Sequence, residues 1–410
     1  MSDITVDKLI ADAEIDVKKL YNRIDEIALF NQEKVLSAFQ KSRIALRHFS
    51  GTSGYGYDDT GRDTLCEIFA DTFGAEAAIV SPLIASGTHA ISTVLYGLLR
   101  PNDKFLSLSG TPYDTLETVI SGENVGSLKD FGVTFESIEL TLSGHFDTEK
   151  IEAALKKNQY KILFIQRSRG YNWRNALSID QIENVIAFIR KFTNAPVVID
   201  NCYGEFVETR EPTQVGADII VGSLIKNPGG GLAPTGGYIA GRKDLIEQIG
   251  YRLTAPGVGT EVGSYSFGYR EFYQGFFLAP HVTAQALKGS VLFGTVFDKL
   301  GYETLPLPQE NCHDIIRSIK FHTKDELIKF CQAIQACSPV DSFAVPEPWD
   351  MPGYTDQVIM AAGTFVQGAS IELSADSPIR EPYIAYLQGG LTYEHVKLAV
   401  KKCVEYISGK

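Results

Sequence analysis

Hydrophobic positions along the chain follow two alternating periods. Short apolar runs of strand length recur at Ala77–Val80, Lys104–Leu108, Val133–Leu140, Lys161–Gln166, Pro196–Asp200, Asp218–Gly222 and Gly236–Ala240. Several are separated by stretches of helical period. Thr64–Phe73 puts Leu65, Ile68 and Phe69 on one face and stops at Gly74, a glycine suited to ending a helix. Asp147–Lys157 begins with acid and ends in Lys156 and Lys157, as the helix dipole favours. Ser178-x-x-Gln181 ahead of Ile182, Val185, Ile186 and Ile189 reads as a capping box. Strands alternating with helices predict an α/β fold: a mainly parallel seven-stranded sheet covered by helices.

The two ends of the chain break this rhythm. Residues 1–47 carry Val17, Leu20, Ile24 and Ile27 at helical spacing and predict an N-terminal helical arm. Residues 48–279 hold the alternation and form the large domain. From Pro280 a long helix is expected to Leu300, able to bridge two domains. Beyond it, Asp314–His322, Lys324–Ala336, Gln357–Leu373 and Tyr393–Ile407 read as strand, helix, strands and helix. Residues 280–410 thus predict the interdomain helix and a smaller C-terminal α+β domain.

Composition narrows the class. A net charge of −12, with 21% charged and 44% hydrophobic residues, is that of a globular protein and argues against a nucleic-acid partner. Six cysteines stand without C-x-x-C or zinc-like spacing, which predicts no metal site and a reducing, cytoplasmic setting. No secretory h-region opens the chain. The longest stretch without Asp, Glu, Lys or Arg, Ala77–Leu99, is interrupted by Ser81-Pro82 and Ser86-Gly87-Thr88-His89, so no membrane span is expected. Glycine is in surplus, 37 of 410, and gathers in Gly51–Gly61, Gly229–Gly237 and Gly257–Gly268. Such bare backbone suits the close approach of a ligand or a second chain.

In an open parallel sheet a ligand sits beyond the carboxyl ends of the strands. Three predicted strand exits carry candidate chemistry. Ser86-Gly87-Thr88 at a helix start is either a phosphate seat or a simple serine N-cap. Asp200, ending an apolar strand before Asn201-Cys202-Tyr203-Gly204, is either a cap or a charge aimed into the crevice, with Cys202 on the same side. Ser223-Leu-Ile-Lys226 precedes Gly229-Gly230-Gly231. Its lysine is either a loop residue or, with its ammonium disfavoured by an apolar crevice, a Schiff-base nucleophile. Together the exits match what pyridoxal phosphate needs: an anchored phosphate, a carboxylate for the pyridine nitrogen and a lysine for the aldehyde. Tyr113, after the strand Lys104–Leu108, could lay its ring on the cofactor and assist proton transfer.

The strings HFSGTSGYGYDDTGRDTLCEIFADTFGAEAAIVSPLIASGTHAIS, VVIDNCYGEF, GSLIKNPGGGLAPTGGYIAG and FVQGASIELSADSPIREPYIAYLQGGLTYEHVKLA resemble the methionine gamma-lyase-related family of fold-type I pyridoxal-phosphate enzymes. Its members are described as aluminium resistance or cystathionine beta-lyase-like proteins. The resemblance implies pyridoxal 5'-phosphate bound covalently to Lys226 as a Schiff base, with Asp200 on the pyridine nitrogen. It makes Ser86, Gly87, Thr88 and Ser223 phosphate ligands and Tyr113 the stacking ring. It also implies a homo-oligomer, dimer or tetramer, in which Tyr55 and Tyr57 reach the neighbour's phosphate. Gln166 either bonds the cofactor ring or caps a loop. The family's Tyr-x-Arg is here Tyr55-Gly56-Tyr57, and its C-terminal carboxylate-binding arginine is replaced by Tyr386. Arg380 is therefore the candidate for the substrate carboxylate, with Arg167 and Arg169 as rivals. The implied activity is elimination from a sulfur-containing amino acid, by a carbon-sulfur lyase of methionine gamma-lyase or cystathionine beta-lyase type. Transamination, aldol cleavage and a non-catalytic cofactor-binding role are the alternatives.

Overall fold

The computed structural model describes residues 5–351 and 354–407; the outermost residues of the arm and of the C-terminal domain lie outside that range. All seven expected strands of the large sheet form. They are β1 (Ala77–Ser81), β2 (Lys104–Ser107), β3 (Thr134–Ser137), β4 (Ile162–Gln166), β5 (Val197–Asp200), β6 (Ile219–Ser223) and β7 (Gly237–Gly241), in the order β1-β7-β6-β5-β4-β2-β3. Strands β2 to β6 pair in parallel and β7 is antiparallel to both its neighbours. Six strands therefore point one way, and their carboxyl ends share one edge.

Both faces of the central strands are buried, which explains why β4, β5 and β6 read as apolar runs, whereas the edge strand β3 is partly exposed. Leu163, Ile165, Val197, Ile199 and Ile220 enter one core; Ile162, Phe164, Val198, Ile219 and Val221 enter the other. The helices, in chain order, are α1 (Val6–Asp16), α2 (Lys18–Lys41), α3 (Thr60–Phe73), α4 (Gly87–Leu98), α5 (Asp114–Ser121), α6 (Thr148–Lys157), α7 (Ile179–Ile189), α8 (Lys243–Leu253), α9 (Arg270–Lys299), α10 (Lys324–Cys337) and α11 (Tyr393–Ile407). Ile91, Val94, Leu95, Leu98 and Ile249 from α4 and α8 cover the second face. Leu65, Ile68, Phe69 and Phe73 from α3 and Ile182, Val185 and Ile186 from α7 cover the first.

The bridging helix begins ten residues earlier than expected, at Arg270 rather than Pro280, and Pro280 sits inside it. Proline costs an interior helix about 3 kcal/mol. Here the helix is buried on both sides of it, by Phe272, Tyr273, Phe276 and Ala279 before and by Val282, Ala286, Leu287 and Val291 after. The carboxyl half of α9 then gives Leu292, Phe293, Val296 and Phe297 to a separate core. That core lies against a wholly antiparallel sheet of β8 (Glu303–Leu305), β9 (Arg317–Lys320), β10 (Val358–Ala361), β11 (Ser374–Pro378) and β12 (Ile384–Gln388), in the order β10-β11-β12-β9-β8. Only β10 falls within the stretch Gln357–Leu373 expected to hold strands; β11 and β12 lie beyond it.

The helix expected over Thr64–Phe73 starts four residues earlier, at Thr60, with Asp59 as its cap: Asp59 Oδ1 accepts from the Arg62 amide at 3.0 Å. The loop ahead of it runs from Ser50 to Asp58. The remaining loop packs on the glycines after α8. The Gly263 amide donates to Tyr55 O at 3.0 Å and Ser264 Oγ donates to Gly54 O at 2.8 Å. Among the described residues no helix is long and apolar enough to cross a membrane.

Candidate active site

The shared edge of the large sheet and the facing strands of the small one enclose a cavity of ≈ 230 Å³. Ser86, Gly87, Thr88, Tyr113, Gln166, Asp200, Cys202, Ser223 and Lys226 all line it. Ser86 caps α4, its Oγ accepting from the His89 amide at 3.0 Å. The amides of Gly87 and Thr88, first in that helix, have no intrahelical acceptor and carry the positive end of its dipole. A Cβ built on Gly87 would stand 3.5 Å from Cys202 Sγ and from Ser223 Cβ, an ordinary contact. No protein atom therefore demands glycine here; the bare backbone keeps free the space an anion would fill.

Asp200, at the end of β5, is buried with its Oδ1 accepting from the Cys202 amide at 3.1 Å. Burial raises its pKa, and the Lys226 charge and the Cys202 amide oppose that rise. Lys226 Nζ lies 3.8 Å from the centroid of the Tyr203 ring. Tyr203 holds a left-handed backbone (φ 72°). That conformation costs a non-glycine residue of order 1–2 kcal/mol, so the placement of the ring is bought at some strain. The sequence led us to expect the ammonium of Lys226 to be disfavoured. The structure reverses this. Burial does lower its pKa, but Cys202, Tyr203, Asp200 and Glu205 outweigh burial and the net direction is upward. The ammonium of Lys226 thus rests over the face of the Tyr203 ring.

Tyr113 caps α5, and its amide donates to Gln166 Oε1 at 2.7 Å, while Gln166 Nε2 donates to Ser168 O at 3.3 Å. The side chain of Gln166 is therefore engaged in fixing Tyr113. The Tyr113 hydroxyl meets that of Tyr354 at 2.6 Å, and its ring meets Tyr171 edge-on at 5.5 Å. Tyr171 donates to Asp376 Oδ2 at 2.5 Å and stands 5.1 Å from Tyr386, whose hydroxyl donates to Tyr171 O at 2.6 Å. Asp376 and Tyr386 are register partners on β11 and β12, so the small sheet supplies this wall. Sequence reasoning missed Tyr171, Tyr203 and Asp376 as site residues. Their one signal was position: Tyr171 follows the β4 exit and Tyr203 the β5 exit.

The arginine candidates separate. Arg167 is fully buried and spent on Asn201, Gly204 O and Glu208, at 2.9, 2.9 and 2.8 Å. Arg169 is buried and forks onto Asp314 at 3.3 and 3.0 Å. Neither lines the cavity, so both drop out as carboxylate ligands. Arg380 also lies outside it, paired with Asp356 at 2.8 Å, but shares an adjoining pocket with Tyr113, Gln166 and Tyr171. Tyr55 and Tyr57 are 71% and 62% exposed and do not line the cavity of their own chain.

The donor set fits pyridoxal phosphate: helix-start amides and hydroxyls for a phosphate, a buried carboxylate for a protonated ring nitrogen, and a lysine between them. The comparisons agree with that fit. The chain matches the methionine gamma-lyase family over residues 6–408. It is 50% identical to a carbon-sulfur lyase involved in aluminum resistance from Clostridium novyi, covering 97% of this chain and 95% of that one with a TM-score of 0.94. It is 28% identical over 197 residues to L-methionine gamma-lyase of Pseudomonas putida, which spans 48% of this chain and 45% of the other. A pyridoxal-5'-phosphate dependent protein from Escherichia coli shares the fold, with a TM-score of 0.63 at 16% identity over 93% of this chain and 96% of that one.

Proposed function

The chain belongs to the methionine gamma-lyase family, and from that premise we propose that it is a pyridoxal-phosphate-dependent carbon-sulfur lyase acting on a sulfur-containing amino acid. The observation that carries this reading is the convergence of the Gly87 and Thr88 amides, Asp200 and Lys226 on one cavity. When bound, the cofactor supplies an aldehyde for covalent attachment and a ring that stabilises negative charge at the substrate's α-carbon.

The chain's own groups do the rest. The Gly87 and Thr88 amides with Ser86, Thr88 and Ser223 hydroxyls hold the phosphate. Asp200 keeps a proton on the ring nitrogen by facing it with a buried negative charge. Lys226 would hold the cofactor's aldehyde, and its Nζ is the base for the α-proton of the substrate. Tyr113, fixed by Gln166, would help to hold the cofactor and keeps a proton at its hydroxyl for the departing thiol. Arg380 takes the substrate carboxylate at the rim. Tyr55 and Tyr57, exposed in their own chain, serve the phosphate of a neighbouring copy, so the working unit is a dimer or tetramer. The six free cysteines suit a cytoplasmic setting.

Purified protein is expected to show a visible cofactor band that Lys226→Ala abolishes. It is also expected to release a thiol with pyruvate or 2-oxobutanoate from cystathionine, cysteine or methionine. A colourless protein that gains no band from added cofactor overturns the reading, and alanine or threonine turnover without thiol release would move it to transamination or aldol cleavage.

A further inference from the structure

The cavity wall contains one cation, Lys226, and two carboxylates, Asp200 and Asp376. Under the proposed function, on which this inference rests, the cofactor engages Lys226 and Asp200. Asp376 is then the carboxylate of the described cavity wall that the cofactor leaves free to face a substrate. Its Oδ2 accepts from the Tyr171 hydroxyl, and among the described residues Oδ1 receives no hydrogen bond from another side chain. Around it stand the rings of Tyr113, Tyr171 and Tyr386, with Tyr354 behind Tyr113. Burial raises the Asp376 pKa to about 6, against the Tyr171 hydrogen bond, its own backbone amide and the Lys226 charge.

A carboxylate among aromatic faces is a receptor for an organic cation, which gains from both the charge and the rings. The same carboxylate penalises a neutral tail, which offers its buried charge no counterion. Methionine and its simple homologues have no group to offer it.

We propose that Asp376 is a specificity residue that receives an ammonium on the leaving thiol, so that the preferred substrates are thioether amino acids whose far end carries an amine. The test uses an isosteric pair, S-(2-aminoethyl)-L-cysteine and S-propyl-L-cysteine. Both yield pyruvate, ammonia and a thiol by the same elimination and differ only in the terminal amine. The wild-type holoenzyme is expected to favour the aminoethyl compound in kcat/KM by about tenfold to a hundredfold, the scale of one charge-assisted hydrogen bond. In Asp376→Asn the ratio should collapse towards one while the visible cofactor band persists. Calorimetry with the unreactive pair L-lysine and L-norleucine should show the same loss of preference in binding alone. Equal wild-type rates for the two thioethers, or an unchanged ratio in the variant, overturns the proposal. Should the variant fail to accumulate as folded holoenzyme, the wild-type ratio decides. Absence of the cofactor band in wild-type protein would instead strike the underlying function.

Discussion

Replacing Gly87 by alanine adds one methyl group to the first turn of α4, at the centre of the anion seat. Its Cβ would make ordinary contacts at 3.5 Å with Cys202 and Ser223, and its backbone is not left-handed, so the apo fold should tolerate it. Alanine is favoured over glycine within a helix by roughly 0.5–1 kcal/mol. Without cofactor, Gly87→Ala should therefore be as stable as wild type or more stable by up to about 1 kcal/mol. The methyl group occupies space a phosphate needs to reach the amides. Losing one hydrogen bond to a charged group costs about 1.5–3 kcal/mol, roughly a tenfold to 150-fold rise in Kd. Urea denaturation of cofactor-stripped protein and titration with pyridoxal phosphate, followed by visible absorbance, measure the two effects separately. Gly204→Ala is the contrasting control, because its Cβ would overlap the buried Arg167 guanidinium. It should lose about 1–3 kcal/mol of stability through overpacking. A Gly87→Ala protein that binds cofactor with wild-type affinity, or whose apo form is destabilised as much as Gly204→Ala, would refute the reasoning.

Further expectations concern charge. Burial lifts the Glu205 carboxyl from 4.5 to about 8, so between those values the folded state keeps a proton that the unfolded chain has released. Stability should therefore fall as pH rises through that window, by about a few kcal/mol. Glu205→Gln, which can still accept from the Tyr238 hydroxyl, should match wild type in denaturation at pH 4 and exceed it at pH 9; equal pH profiles would contradict the assignment. Arg380→Ala should raise KM for the amino acid by at least about tenfold, as loss of a charge-assisted contact implies, with the cofactor band unchanged. An unaltered KM would remove Arg380 from substrate binding. Asp200→Asn should retain the protein fold but lower kcat far more than it raises KM, because its effect is on charge at the reacting carbon; a KM effect alone would contradict that role.

The large sheet was legible because both faces of its central strands are buried, which makes β4, β5 and β6 apolar runs bounded by turn residues. The exits of β1, β5 and β6 followed from it, and with them Ser86–Thr88, Asp200, Ser223 and Lys226. The small-sheet wall was not legible. Strand β11 reads Ser-Ala-Asp-Ser-Pro, with no alternation to mark it, yet it positions Asp376. Arg167 and Arg169 stand beside a strand exit in sequence, but the fold brings Asn201, Glu208 and Asp314 from distant positions to consume them. The direction of the Lys226 shift was misjudged for a related reason. Burial is visible in an apolar sequence context, whereas the titratable groups gathered around the lysine come from the fold. Pro280 marked a helix start by local rule and lies inside α9 because tertiary packing overrides it.

The central claim is that Lys226 carries pyridoxal phosphate. Borohydride reduction of the purified holoenzyme, followed by proteolysis and peptide mass mapping, tests it directly. The account predicts a phosphopyridoxyl group on the peptide containing Lys226 and on no other lysine. A modification at a different lysine, or an unmodified Lys226 in protein saturated with cofactor, would contradict it.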